Sequence, residues 1–293
     1  MPLLSIVVVN WNTREFLCAC IRSIYATLDA ISFEIIVVDN ASHDGSAEMV
    51  SSDFPEVLLV RNDENVGFAA ANNIGLRRAR GEFVMLLNPD TALCPGSVHR
   101  MLDFAKSRPD VGMVGPKLVS SDGSLQINGQ RFPTFLREVM CLTRLSRVFR
   151  RYHDSRLAWC REDFDINAEV DALAGACMLV RKAVVDTVGL LDEAFFLYYE
   201  DTDWCCRIKK AGWKIWYLGG AQVVHVWAQS AAKFGFPRAN GVMYRSQYQY
   251  WRKHGRAWQA VTLRLLSYLL LAVQAAKRVA RTARERLKGG RLR

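Results

Sequence analysis

The chain has 293 residues, 51% of them hydrophobic, with 39 Lys and Arg against 29 Asp and Glu for a formal net charge of +10. That length and apolar content allow a full core in one large domain with appendages and exclude disorder over most of the chain. The charge is lopsided: Lys277 to Arg293 hold eight basic side chains against Glu285, whereas the residues before them hold 31 basic and 28 acidic ones. A basic C-terminal segment suits an anionic surface, and the nearly neutral body excludes a nucleic-acid groove.

The eight cysteines include no C-x-x-C pair and several stand in apolar runs, which suits buried thiols in a reducing compartment better than a disulfide framework. Met1 runs straight into a strand pattern with no basic leader before it, so no signal peptide is expected. Asn40-Ala41-Ser42 is then a chance match to a glycosylation acceptor.

Ser5 to Asn10 is a β-branched run that predicts the first strand, and Trp11-Asn12-Thr13-Arg14 leads into a helical pattern from Glu15 to about Leu28. Glu34 to Asp39 predicts a second strand, and Asn40 to Ser46 a turn able to cap the next helix. Val57 to Val60 follows as a third strand, and Phe68 to Ala79 as a helix introduced by Asn65-Val66-Gly67. The fourth strand, Phe83 to Leu87, consists of five consecutive apolar residues, the pattern of a strand buried on both faces of a parallel sheet. Pro89 ends its pairing, so Asp90 sits just past the carboxyl end, where open α/β sheets bind ligands. A carboxylate there suits a hard cation carrying phosphate oxygens; the plainer alternative is an Asp in a surface turn. Val111 to Pro116 is a fifth strand, and strands alternating with helices predict an α/β fold with a mostly parallel sheet.

From Ser120 to about Glu169 the pattern weakens, and the basic segment Arg137 to Arg151 reads either as part of an acceptor pocket or as a solvated helical face. Val170 to Arg181 returns to strand character, with Gly175-Ala176 at its centre allowing a ligand or another backbone close approach. Phe195, Phe196, Tyr198 and Tyr199 then precede Glu200, Asp201 and Asp203, at the start of a helix predicted from about Trp204 to Ala211. The helix dipole and capping account for one or two such carboxylates but not readily for three. His225, among Val223, Val224, Val226 and Trp227, is either a core histidine or a ligand. Leu265 to Ala276 has twelve residues without a charge, whereas spanning a membrane takes about twenty apolar ones. Leu263, Leu266, Leu270, Val273, Lys277 and Ala280 fall at helical spacing, predicting a stripe that lies in a membrane interface or packs on the domain.

Taken together, Ser5-Ile6-Val7-Val8-Val9-Asn10-Trp11-Asn12, Val37-Val38-Asp39-Asn40-Ala41-Ser42, Asn65 to Gly75, Leu87-Asn88-Pro89-Asp90, Gly175-Ala176, Glu200 to Trp204 and His225 resemble the inverting nucleotide-sugar glycosyltransferases of family 2. Among these the chain looks most like the rhamnosyltransferase-like branch that builds bacterial polysaccharides on lipid carriers. The resemblance implies a GT-A fold and a nucleoside-diphosphate sugar donor, such as dTDP-rhamnose or a UDP-sugar. It also implies a glycan or lipid-linked acceptor and a divalent cation, Mg or Mn. It puts Val9, Asn10, Asn12 and Asp39 by the base and ribose, and Asn65, Gly67, Asn72 and Asn88 along the diphosphate and sugar. Asp90 and His225 would be metal ligands and Asp201 the catalytic base. Gly175, Ala176, Glu200, Asp203 and Trp204 would support the acceptor side, with Trp204 beneath the sugar. Asn88 stands where the family's Asp-x-Asp motif has its first carboxylate, which leaves one negative ligand fewer. On this reading residues 1–256 form the GT-A domain, 1–118 its nucleotide-sugar-binding half and 119–256 its acceptor and catalytic half. Residues 257–293 form an amphipathic, basic segment that attaches to a membrane surface through 263–293, on the cytoplasmic side. Two alternatives stay open: a degenerate nucleotide-binding scaffold without turnover, and a glycoside hydrolase, which also uses two carboxylates.

Overall fold

The computed structural model describes residues 1–143, 145, 164–226 and 236–289, with side chains except at 236–239 and 275–289. The first half alternates β1 (Leu4–Asn10), α1 (Arg14–Thr27), β2 (Phe33–Asp39), α2 (Ser46–Asp53), β3 (Leu58–Arg61), α3 (Phe68–Leu76) and β4 (Phe83–Leu87). The four strands pair in parallel in the order β3-β2-β1-β4. The chain therefore winds outward from β1 and then returns to its other side, leaving a switch point between β1 and β4. The crevice at the carboxyl ends of such a pair is where sheets of this kind take ligands.

Every residue of β1 and β4 is buried, because alternate side chains enter two different cores. Leu4, Ile6 and Val8 with Phe83, Met85 and Leu87 meet Leu17, Ile21 and Ile24 of α1. Val7, Val9, Val84 and Leu86 share the opposite core with Ala69 and Ala71 of α3. At roughly 1.5–3 kcal/mol for each large apolar side chain buried, this two-sided packing is what holds the β1 and β4 ends in place.

The second half contains β5 (Thr91–Leu93), α4 (Ser97–Ser107), β6 (Val111–Val119), β7 (Leu125–Gln126), β8 (Gly129–Gln130), α5 (Phe135–Leu142), β9 (Ala168–Glu169), β10 (Ala172–Leu173) and β11 (Cys177–Arg181). It continues through α6 (Lys182–Val188), α7 (Glu200–Lys210), β12 (Lys214–His225), α8 (Phe236–His254) and α9 (Ala257–Gly289). The main sheet runs on as β4-β11-β6-β12-β5. β11 is antiparallel to β4 and β6, β12 is parallel to β6, and β5 is antiparallel to β12. Most strands thus share one direction, as the sequence predicts.

The chain departs from its sequence pattern in four places. Val170 to Arg181 is not one strand: β10 pairs with β8 in a small separate sheet, and β11 joins the main one. Between them Ala174 N–H is held by Asn128 Oδ1 at 2.9 Å, which turns the chain out of line. α7 starts at Glu200 rather than Trp204, so the acidic residues form its first turn. β12 is a twelve-residue strand whose last residue is His225. The fourth departure is in the last helix. Leu142, Phe195, Tyr250, Trp251, Ala260 and Leu263 form a third core between α5, α8 and α9, with Leu266 packed against it. Leu263 and Leu266, expected in a membrane interface, therefore face the protein, while Val273 of the same stripe is exposed; the side chains of Lys277 and Ala280 lie outside the described residues. No helix among the described residues is long and apolar enough to cross a membrane. Of the basic segment Arg137 to Arg151 only Arg137, buried on α5, has a described side chain among its basic residues. The seven described cysteines are free thiols.

Candidate active site

The floor of the crevice is made by the loops after β1 and β2, laced to each other through polar side chains. Asn10 Nδ2 donates to Asp39 Oδ1 (2.9 Å) and Ser42 Oγ (3.0 Å), and Asn10 Oδ1 accepts from Thr13 Oγ1 (2.6 Å). Asn12 N–H donates to Ser42 Oγ (2.8 Å) and Asn12 Oδ1 accepts from His43 N–H (2.7 Å). Asn12 and Ala41 take left-handed backbone at φ 55 and 61, an uncommon conformation that such a network can hold in place. Asn10, expected beside the ribose, has no exposed surface and both amide hydrogens committed; it positions Asp39 instead. Asp39, whose Oδ2 accepts from Ser42 N–H at 3.0 Å, is nearly buried at the β2 end, and Val9 is buried next to Asn10.

Asn40, absent from the predicted site, organises the next loop. Its Nδ2 donates to Asn65 Oδ1 (2.8 Å), and its Oδ1 accepts from Asn62 Nδ2 and Val66 N–H, both at 3.1 Å. Asn65 Oδ1 also accepts from Gly67 N–H at 3.0 Å, so the Asn65 oxygen is turned into the loop rather than toward a ligand. Asn72, expected along the diphosphate and sugar, is buried and bonds its own helix at Phe68 O (2.9 Å). Asn73 is likewise buried, donating to Leu191 O and Glu193 Oε1 at 2.9 Å. Gly67 carries φ +90, and a Cβ there would stand 2.7 Å from Phe196 O. The next amide, Phe68 N–H, donates to that same oxygen at 2.7 Å. Only glycine permits this approach, and it joins the donor-side loop to the segment that leads into α7.

That segment ends in two consecutive left-handed residues, Tyr198 (φ 69) and Tyr199 (φ 66). Such backbone costs on the order of 1 kcal/mol or more per residue, and surrounding contacts over-determine it here. Tyr199 OH donates to the buried Glu138 Oε2 (3.3 Å), which also takes Gln247 Nε2 (2.6 Å), and Ser246 Oγ donates to Leu197 O (2.8 Å). The bend delivers the first turn of α7 to the break between β10 and β11. There Gly175 N–H donates to Asp201 Oδ2 at 3.0 Å, while Thr202 N–H donates to Asp201 Oδ1 at 2.6 Å. Desolvation is the largest influence on Asp201 and pushes its carboxyl up; the backbone hydrogen bonds from Thr202 and Gly175 offset part of that. Glu200 is buried with Oε2 unpartnered. Its carboxyl is pushed well above the usual range by desolvation and then by the charge on Asp201, so the pair favours a protonated Glu200 beside an ionised Asp201.

The same crossing holds the end of β4. Asn88 N–H donates to Ala176 O at 2.9 Å, one residue from the amide that holds Asp201. Asp90 follows two residues on, and β12 brings His225 Nε2 to within 3.4 Å of Asp90 Oδ1. Val226 N–H donates to Asp90 O at 2.8 Å, which locks the two strand ends together. Gln126 accepts from His225 Nδ1 at 2.7 Å and its Nε2 donates to His225 O at 2.7 Å. With Nδ1 protonated, a neutral His225 turns the lone pair of Nε2 toward a carboxylate, an arrangement that suits a cation between them. Asn88 Oδ1 is buried and has no hydrogen-bond partner. Among the described residues no group of three or more His, Cys, Asp or Glu is placed to hold a metal. The Asp90 and His225 side chains have the donor chemistry to supply two ligands to a divalent cation.

Two predicted supports face elsewhere. Trp204 is fully buried in the core beside α3, its Nε1 donating to Gly189 O at 2.9 Å; it offers no face to a sugar. Asp203 is also fully buried and points to α8, 2.8 Å from Arg207 Nε, 2.9 Å from Lys253 Nζ and 2.7 Å from His254 Nε2.

A switch-point crevice with an aspartate and a histidine at two adjoining strand ends, and a second aspartate on a facing helix, is the arrangement of a glycosyltransferase of the GT-A fold. The chain belongs to glycosyl transferase family 2, whose family model matches residues 5–189, and within it the chain is rhamnosyltransferase-like. It is 31% identical over 211 residues to the N-acetylglucosaminyl-diphospho-decaprenol L-rhamnosyltransferase of Mycobacterium tuberculosis, covering 68% of each chain. It is 26% identical over 227 residues to the low-salt glycan biosynthesis hexosyltransferase Agl10 of Haloferax volcanii, covering 75% of this chain and 65% of that one. Its fold is similar to that of a mannosyltransferase from Pyrobaculum calidifontis in complex with GDP-Man and Mn2+ (TM-score 0.60, 17% identity, 98% of this chain and 81% of that one). It is also similar to GalNAc-T7 with UDP, GalNAc and Mn2+ (TM-score 0.58, 16% identity), where it covers 77% of this chain and 44% of that one.

Proposed function

We propose that the protein transfers a sugar from dTDP-rhamnose or a UDP-sugar to a hydroxyl of a glycan or lipid-linked acceptor, with inversion at the anomeric carbon, in cell-surface polysaccharide synthesis. The observation that carries this reading is the single crossing at Gly175-Ala176, which bonds Asp201 on one side and the Asn88 amide at the end of β4 on the other. A base and an anion-binding strand end tied to adjacent residues suit one in-line displacement. Asp201 takes the proton of the acceptor hydroxyl, the oxygen attacks the anomeric carbon, and the bond to the diphosphate oxygen breaks on the opposite face. Asp90 and His225 would hold the divalent cation, Mg or Mn, which when bound neutralises charge on the leaving diphosphate. That acceptor class puts the enzyme on the cytoplasmic face of the cell membrane, as a peripheral protein.

The test is an assay of the purified chain with dTDP-rhamnose and UDP-sugars, manganese, and N-acetylglucosamine linked through diphosphate to a lipid. The expected outcome is a product whose new anomeric bond is inverted by NMR, and which no longer forms after chelation. Nucleotide binding without turnover would instead support the scaffold reading. Hydrolysis of a glycoside that needs neither nucleotide nor metal would support the hydrolase.

A further inference from the structure

α9 is apolar on two opposite faces, and only one of them is covered. Ala260, Leu263 and Ser267 are buried against α5 and α8. Trp258, Val261, Leu265, the adjacent pair Tyr268 and Leu269, and Val273 recur at helical spacing along one side of the helix and are each 46–64% exposed. Isolated exposed apolar residues are ordinary, but six in one continuous helical stripe mark an interaction surface. α5 extends it: Phe135 meets the Trp258 ring edge-on at 4.9 Å, and Leu136 beside it is exposed. Arg264, the one charged residue between Ala257 and Ala276, is drawn to the side, its guanidinium 4.3 Å from the Tyr248 ring and its Nε donating to Tyr268 OH at 2.9 Å.

We propose that this outer stripe of α9 lies in the surface of an anionic lipid bilayer, with the helix parallel to the membrane plane. The proposal deepens the reading of a membrane-surface enzyme and moves the contact from the stripe through Leu263 and Leu266 to the opposite face. Charge selects the occupant. The helix continues to Gly289 through Lys277, Arg278, Arg281, Arg284, Arg286 and Lys288 against Glu285. A second copy on the same stripe would bring two such basic runs together, whereas anionic headgroups beside the stripe neutralise one. Aromatic and aliphatic residues on one face with a basic run in the same helix are the composition of a helix lying in an interface.

The test is co-sedimentation of the full chain with vesicles of phosphatidylcholine alone or of phosphatidylcholine with phosphatidylglycerol, at low and at physiological salt. The chain should pellet with the anionic vesicles and less so as salt rises. The double variant Leu265→Gln/Leu269→Gln should bind them at least tenfold more weakly, with an unchanged melting temperature and unchanged transfer to a water-soluble acceptor. Wild-type binding by the double variant, or no binding of the wild type to either vesicle, would overturn the proposal. So would a wild-type dimer in solution that the double substitution converts to monomer, since a second copy would then be the occupant. Sedimentation is read without donor or acceptor, so it stands whether or not the transfer reaction is found.

Discussion

Gln126 Oε1 and His225 Nδ1 lie 2.7 Å apart, and the direction of this hydrogen bond is fixed by the other end of the glutamine. Gln126 Nε2 donates to His225 O at 2.7 Å and to Ser120 Oγ at 2.9 Å. A backbone carbonyl only accepts, so the amide cannot be reversed, Nδ1 must carry a proton, and Nε2 is the nitrogen offered to a cation. Gln126→Leu removes the acceptor and frees the ring. Cation affinity should then fall about 10–100-fold, seen as a rise in the manganese concentration that half-saturates nucleoside-diphosphate binding. An unchanged manganese dependence would take His225 out of the site.

Asp90→Ala tests the other proposed ligand. It removes the carboxylate that follows β4, so binding of a nucleoside diphosphate should weaken more with manganese present than without it. Calorimetry in the two conditions separates this from a folding defect, which would weaken both equally.

Asp201→Asn keeps the size of the side chain and an oxygen for Gly175 N–H while removing the proposed base. Donor binding should persist and transfer should fall about a hundredfold or more. Because desolvation raises the Asp201 carboxyl above the ordinary aspartate range, the wild-type kcat/KM should decline on the acid side at a pH higher than an exposed aspartate would give. The asparagine variant should lose that acid limb. Near-normal turnover in the variant would end the assignment.

What was legible in the sequence follows from periodicity and strand ends. Phe83 to Leu87 reads as a strand buried on both faces and is one, and the polar residues that close β1, β2 and β4 do gather at one edge of the sheet. Local patterns could not show which polar side chains face inward. Asn10, Asn65 and Asn72 have the composition of a ligand site, yet Asn10 and Asn65 are bonded to Asp39 and Asn40 at the end of β2, and Asn72 to Phe68 O in its own helix. Gln126 gave no signal because it belongs to a two-residue strand in the stretch with the weakest pattern, and its partner is 99 residues away. The outer stripe of α9 was hidden for a different reason: a helix apolar on two faces shows hydrophobic spacing for both, and only the contacts with α5 and α8 decide which is covered.

Gly67→Ala tests the joint between the donor loop and the acidic turn. The new Cβ would meet Phe196 O at 2.7 Å in a backbone at φ +90, so the segment from Phe196 to Tyr199 must retreat. The cost should be roughly 1–3 kcal/mol, read as a lower urea midpoint. Asp201 should be displaced with the segment, lowering kcat. A variant with wild-type stability and kcat would show that this contact does not set the position of α7.

Asp203 provides the pH test of how α8 is held. Desolvation is the largest influence on its carboxyl and acts upward, but hydrogen bonds from His254 and Lys253, with the charge of Arg207, outweigh it and hold the group at about 2. A pKa depressed in the folded state contributes stability above the unfolded value, about 3.9, and loses it as pH falls through the folded value. The contribution should be on the order of 2 kcal/mol at neutral pH, disappearing between about pH 4 and pH 2. Glu200, raised by desolvation, acts with the opposite sign: its contribution is present at low pH and is lost as pH rises. His254, raised chiefly by its bond to Asp203, likewise contributes below its ordinary value and loses that as pH rises through its folded value. Asp203→Asn should therefore lower stability at pH 7 and flatten the acid slope of urea unfolding between about pH 4 and pH 2, while the alkaline-side loss from Glu200 remains. If the variant kept both the stability and the acid slope of the wild type, the four-residue cluster of Asp203, Arg207, Lys253 and His254 would not be what fastens α8 to α7.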